Sequence, residues 1–242
     1  MEILYQGTLL NQATHSYEDV QVQTLNDQHR SQILQVQQHV VEHLQVKESL
    51  QSLTLEEFEH VFNEGGLMIG AFVGEQLIAF RALLFPGDDP ENLGRDLGLS
   101  VAKQQKVVHQ ELTCVLPDYR GNGLQNQLAQ LIMKKFSKLQ LPYRYLCCTV
   151  FPTNVPSVKD KFKQAMLIAK IKEKYSGKMR YIFFKDLEQS ALLDRKTIKA
   201  VPIADYEQQK VLLQEGFYGF DTEEENGETT ILFAKPSTGE EV

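Results

Sequence analysis

Apolar residues along this chain recur in two rhythms. Alternation between residues 18 and 25 predicts a strand closed by Asn26-Asp27. The spacing then lengthens, and Ile33, Val36, Val40, Val41 and Leu44 fall on one face of an amphipathic helix. A second helix is predicted from Thr54, where Thr54 and Glu57 have the spacing of a capping box, and Gly65-Gly66 ends it. The run LMIGAFVGEQLIAFRALLF predicts a hairpin with a tight turn from Val73 to Gln76. A loop, PGDDPENLG, and a polar segment follow, and then a strand, KVVHQELTCVL.

That strand runs into VLPDYRGNGLQNQLAQLIMKKF, where two glycines flank an asparagine ahead of a helical stripe of Leu124, Leu128, Leu131, Ile132 and Phe136. YRYLCCTVF predicts a buried strand, residues 156–164 a lysine-rich helix, and MLIAKIKEKYSGKMRYIFFKDL two strands about a Ser-Gly turn. Beyond Glu188, ADYEQQKVLLQEGFYGF predicts a short helix ended by Gly216. FYGFDTEEENGETTILFAK predicts a hairpin turning at Asn226-Gly227. The final STGEEV is expected to fray. The chain has no internal repeat and no low-complexity tract.

Composition narrows the class. With 42% hydrophobic and 24% charged residues over 242 positions, the chain reads as globular. No apolar run approaches the roughly 20 residues that span a bilayer. Glu2 stands where a secretory leader would carry basic residues, so a cytoplasmic location is expected. A net charge of -7 argues against nucleic-acid or anionic-membrane binding and suits a cationic small substrate. Cys114, Cys147 and Cys148 have no metal-ligand spacing and read as buried hydrophobes in a reducing compartment.

The succession of strand, Arg120-Gly121-Asn122-Gly123 and helix is one that seats an anion on backbone amides. Glycine removes the Cβ atoms that would hold a phosphate away from those donors. A plain tight turn is the alternative. The third glycine of a dinucleotide fingerprint is absent, as is the Gly-Lys-Ser/Thr of a triphosphate loop.

VLPDYRGNGLQNQL resembles the acetyl-CoA-binding motif of the GNAT superfamily of N-acetyltransferases. TVFPTNVPS, one strand later, is similar to the family's Asn-x-x-Ala/Ser helix start beside the pantetheine arm, here Asn154 and Ser157. The resemblance covers about residues 18–187. It implies an α/β (α+β) fold: a mixed, mostly antiparallel sheet with splayed central strands and helices on both faces. The core is assigned to 1–187. The helix and hairpin of the small α/β extension, 188–242, are too small to be stable alone and are expected to pack on that core, where they would cover a sheet edge, shape the acceptor pocket or form a dimer contact. Acetyl-CoA is the implied co-substrate, with no metal. It would be held by Cys114, Val115, Arg120, Gly121, Asn122, Gly123, Leu124, Gln125, Asn154 and Ser157, and the acceptor would be a small-molecule or peptide amine. Two positions depart from the family pattern: Gln125 replaces a small residue, and Lys161 stands where many members carry a tyrosine acid.

Direct attack by an amine needs a base. His109, Glu111 and Thr113 share one face of a regular strand, so Glu111 is the candidate base and His109 a relay; satisfied polar residues at a strand edge are the alternative. Two other constellations compete. HVVEH (His39, Glu42, His43) matches the H-x-x-E-H pattern of one zinc-hydrolase class, although a third ligand is needed and surface histidines are the simpler account. A catalytically silent acyl-CoA-binding module is the nearer alternative.

Overall fold

The computed structural model describes residues 2–44, 52–175, 177–225 and 227–237. Ser176, Asn226 and residues 238–242, named above as turn or terminal positions, lie outside the described residues. The chain forms two compact units, one of Met1–Phe85 with Gln110–Pro142 and the other of Pro86–His109 with Tyr143–Val242.

In the first unit the strands β1 (Ile3–Asn11), β2 (Ser16–Thr24), β3 (Gly66–Val73), β4 (Gln76–Leu84) and the later part of β5 (Val107–Val115) lie in that order. β1 to β4 pair antiparallel. Alternation decides the layers. Phe80, Ala82 and Leu84 of β4 and Leu112 and Cys114 of β5 share a core with Ile33, Val36 and Val40 of α1 (Arg30–Glu42) and Phe58 of α2 (Leu55–His60). The expected capping box is present: Thr54 Oγ1 accepts from the Glu57 amide at 3.2 Å, and Glu57 Oε2 accepts from the Thr54 amide at 2.7 Å. α2 runs on as a π-type turn, Val61–Gly65, before Gly66 opens β3. Leu124, Leu128, Ile132 and Phe136 of the later helix Leu124–Lys138 are buried, as their spacing predicts.

In the second unit the order runs from the start of β5 through β6 (Tyr145–Val150), β8 (Lys178–Asp186), β7 (Leu167–Lys174), β10 (Tyr218–Glu225) and β11 (Glu228–Pro236) to β9 (Leu193–Pro202). Every pairing is antiparallel except β5 with β6. That parallel ladder joins only residues 107–109 to 145–147. The polar stretch before β5, read as irregular from sequence, holds two short helices, α3 (Leu93–Asp96) and α4 (Val101–Gln104). The helix Leu124–Lys138 is α5, and α6 (Val155–Lys163) and α7 (Tyr206–Gln214) complete the set.

Sequence reading missed β1 and β9. β1 carries only Leu9 and Asn11 as fully buried residues, and Gly7 interrupts its pattern. β9 buries Val201 alone, and its exposed Arg195, Lys196 and Lys199 mask any alternation. The compact units also do not divide at residue 187. Gly219 of β10 pairs with Ile168 of β7, and the Tyr181 hydroxyl donates to Gln209 Oε1 in α7 at 2.8 Å. Residues 188–237 thus share hydrogen bonds with β7 and β8 inside one unit.

α6 and α7 end alike. Gly216 sits at φ 83° after α7; its amide donates to Leu213 O and the Phe217 amide to Leu212 O. After α6 the same Schellman pair runs from the Ala165 amide to Phe162 O and from the Met166 amide to Lys161 O, with Ala165 at φ 56°. An alanine there carries the left-handed penalty that glycine avoids. Ala165→Gly is therefore expected to stabilise the protein by about 0.5–1 kcal/mol, read as a higher urea midpoint at unchanged m-value.

Candidate functional site

The glycine turn is built entirely in the first unit. Gly121 (φ 81°) and Gly123 (φ 70°) both take the left-handed region, where a side chain is strained. A Cβ on Gly123 would meet nothing within 4 Å, so the space over the turn is open. Gly123 is the N-cap of α5 and supplies no side-chain cap. The Gln127 amide donates to Gly123 O at 3.1 Å and begins the helical ladder. The amides of Leu124, Gln125 and Asn126 precede it and have no acceptor within a helix. The buried Leu124 side chain anchors the first turn, while Arg120 and Gln125 are exposed beside it.

The Asn122 side chain bonds within the protein. Its Oδ1 accepts from the Leu10 amide at 2.9 Å, and its Nδ2 donates to Leu10 O at 2.9 Å and Tyr119 O at 3.0 Å. The side chain thus bonds β1 much as a strand residue would, and it holds the turn from below. Gln12 adds two bonds, its amide to Asp118 O at 2.7 Å and its Nε2 to Arg120 O at 3.2 Å. Tyr119 is buried and donates to Glu18 Oε2 at 2.8 Å; burial, and then the bond to Glu18, push its hydroxyl up to about 12. A tyrosine held this way is a clamp for the loop and a poor acid at neutral pH. The β1–β2 hairpin therefore preorganises the turn, and the helix end needs no local cap for its rigidity. Asn122→Leu should remove three hydrogen bonds and cost roughly 2–4 kcal/mol, measured by chemical denaturation.

β5 departs from regular alternation. Arg81, 1% exposed, donates to Thr113 Oγ1 at 2.7 Å and to Gln110 Oε1 at 2.8 Å. Side chains three residues apart point to opposite faces of a regular strand, so the strand is irregular between Gln110 and Thr113. Past Gln110 burial alternates again, with Leu112 and Cys114 in the core and Glu111, Thr113 and Val115 half-buried, so Glu111 and Thr113 keep the shared face expected of them and His109 lies before the irregularity. Cys114 turns its thiol into the α1–α2 core, where burial pushes the thiol well up, so only its main-chain groups are left for a ligand.

The other sequence candidates lie in the second unit. His109 is buried, and its Nε2 accepts from the Leu93 amide at 3.1 Å. Asn154 caps α6, its Oδ1 accepting from the Ser157 amide at 3.2 Å. Lys161, at the family's tyrosine position, is buried and pairs with Asp160 at 3.3 Å. Lys159 pairs with Glu224 at 2.5 Å. In the first unit His39 and His43 stack at 4.3 Å between centroids on the exposed side of α1. Among the described residues no group of three or more metal-ligating side chains gathers. No helix among them is long and apolar enough to cross a membrane.

The acetyltransferase (GNAT) family model matches residues 32–159. Among solved structures, NAA60 of Arabidopsis thaliana in complex with acetyl-CoA is 16% identical, with a TM-score of 0.54 over 70% of this chain and 99% of that one. A GNAT-family acetyltransferase of Streptococcus pneumoniae is also 16% identical, with a TM-score of 0.52 over 69% and 99%. The ribosomal-protein-S18-alanine N-acetyltransferase of Escherichia coli is 14% identical, with a TM-score of 0.50 over 68% and 91%. At such identities the likeness is one of fold. None of the curated proteins matches. The family match spans more than half the chain and takes in the glycine turn and the start of α6: this chain belongs to the GNAT acetyltransferase family.

Proposed function

We propose that the protein is an acetyl-CoA-dependent N-acetyltransferase that acts on an amine of a small molecule or peptide in the cytoplasm. One observation carries the reading: an uncapped helix N-terminus behind two left-handed glycines, open above and pinned below by Asn122. The amides of residues 123–126 fit a diphosphate, and the exposed Arg120 adds charge beside it. The main chain of residues 113–115 is assigned to the pantetheine amides, as an added strand would pair. Three free, buried cysteines suit a reducing compartment.

Transfer forms a C–N bond at the thioester carbon and breaks its C–S bond, and the attacking amine must lose a proton. Glu111 is assigned to take it. His109 is assigned a positioning part, since its Nε2 holds the α3 turn through Leu93. With Lys161 buried against Asp160, the departing thiolate is assigned its proton from solvent.

Calorimetric titration with acetyl-CoA tests the cradle, and release of free thiol across an amine panel tests the chemistry. At about 100 times Kd, acetyl-CoA should stabilise the fold by about 2.7 kcal/mol. No binding would end the proposal. Glu111→Gln should lower kcat/KM by about 100-fold or more, with acetyl-CoA affinity unchanged. A second reading, a silent acyl-CoA-binding module, is favoured by the replacement of the family's tyrosine with the buried Lys161; binding without thiol release from any amine would select it.

A further inference from the structure

A cavity of about 280 Å³ opens inside the second unit, between the end of α6, the start of β7 and the end of β8. Phe162, Met166, Leu167, Phe184 and Phe220 supply apolar wall. Its volume falls just under that of drug-sized ligand pockets, which run from roughly 300 Å³ upward. A ligand of that size is a small organic molecule.

Two charged side chains line the cavity, Lys185 and Asp186, and they differ in what surrounds them. The Asp186 carboxylate accepts a forked bond from Arg144, Nε at 2.9 Å and Nη2 at 2.6 Å. Burial alone would raise that carboxyl, but the Arg144 bonds outweigh it and hold it below its ordinary value. Lys185 is half-buried, and its Nζ donates to a neutral acceptor, Gln164 O, at 2.8 Å. Among the described residues no carboxylate pairs with it. Burial accordingly pulls its ammonium below the ordinary lysine value. The wall thus holds a cation set beside apolar groups and bonded to a carbonyl, with no counter-ion on it among the described residues. A desolvated cation is costly until an anion meets it.

We propose that this cavity binds a small carboxylic acid with an apolar body, its carboxylate on Lys185 Nζ and its hydrocarbon against Phe162, Met166 and Phe220. The cavity is lined by residues of the second unit alone, and the proposal does not rest on acetyl transfer. Neither an amine nor an alcohol of the same shape answers the unmatched charge. A peptide is too large for the space.

The test uses phenylpropanoate, phenylpropanol and phenylpropylamine, titrated into the full chain by calorimetry and ligand-observed NMR. The acid should saturate one site and bind at least about tenfold tighter than the alcohol, and the amine should bind more weakly than both. Lys185→Met should bring the acid down to the affinity of the alcohol and leave the alcohol unchanged. Gly123→Val should leave acid binding intact, which separates this cavity from an anion on the α5 turn. Should Lys185→Met fail to fold, Ala191→Trp on the exposed rim fills the mouth and should block acid and alcohol alike. Equal affinity for acid and alcohol in the unaltered protein overturns the proposal, as does acid binding that survives both substitutions or never saturates.

Discussion

Acetyl-CoA affinity is expected to fall about 100-fold when Gly123 is replaced by valine. Gly123 holds φ 70° at the head of α5, and a Cβ there would enter open space. Valine is among the least tolerant residues at positive φ, so the turn either strains or flips. In either case the side chain stands where a diphosphate would approach the α5 amides. Losing one or two charge-assisted amide bonds accounts for about 3 kcal/mol. The fold itself should lose only the left-handed penalty of about 1–2 kcal/mol. Gly98→Val is the control, because Gly98 has φ 72° with nothing within 4 Å but belongs to the second unit. It should cost similar stability and leave acetyl-CoA affinity unchanged. If both variants bind acetyl-CoA like the parent, the turn is not the cradle.

Arg81→Leu should destabilise the protein by about 3–5 kcal/mol, seen as a lower urea midpoint. Arg81 is almost wholly buried and bonds two β5 side chains, Gln110 and Thr113, through separate guanidinium nitrogens. Leucine would fill part of the volume and leave both acceptors without that donor. Arg81→Lys should recover little, since one ammonium cannot reproduce a planar fork between acceptors on separate residues. Arg81 is also the prop under the stretch that carries Glu111. The lysine variant, assayed where it remains folded, should lose kcat more than it raises KM for the amine. A lysine variant with parental stability would show that the fork is dispensable.

Much of the local structure was legible in the sequence because its causes are local. The Thr54–Glu57 box, the Gly216 helix stop and the Val73–Gln76 turn each depend on residues within a few positions, and each stands as read. The glycine pair around Asn122 was legible too, since positive φ and an uncapped helix end are properties of the turn itself. β1 was hidden because its partner is β2 on one side only and few of its residues are fully buried. The short helices α3 and α4 were hidden because four residues carry too little periodicity to register.

The site divides the same way. From sequence alone came the family's glycine turn, the stripe that anchors α5 and the exclusion of the two commoner nucleotide loops. Only the tertiary structure decided that Asn122 faces Leu10, 112 residues earlier, that Tyr119 is a clamp on Glu18, and that Arg81 bonds both Gln110 and Thr113 of β5. The physical reason is the reach of each force. Backbone preference and hydrophobic period act over a turn or two of chain, whereas a polar side chain removed from water bonds whatever the fold brings near it, at any distance along the sequence.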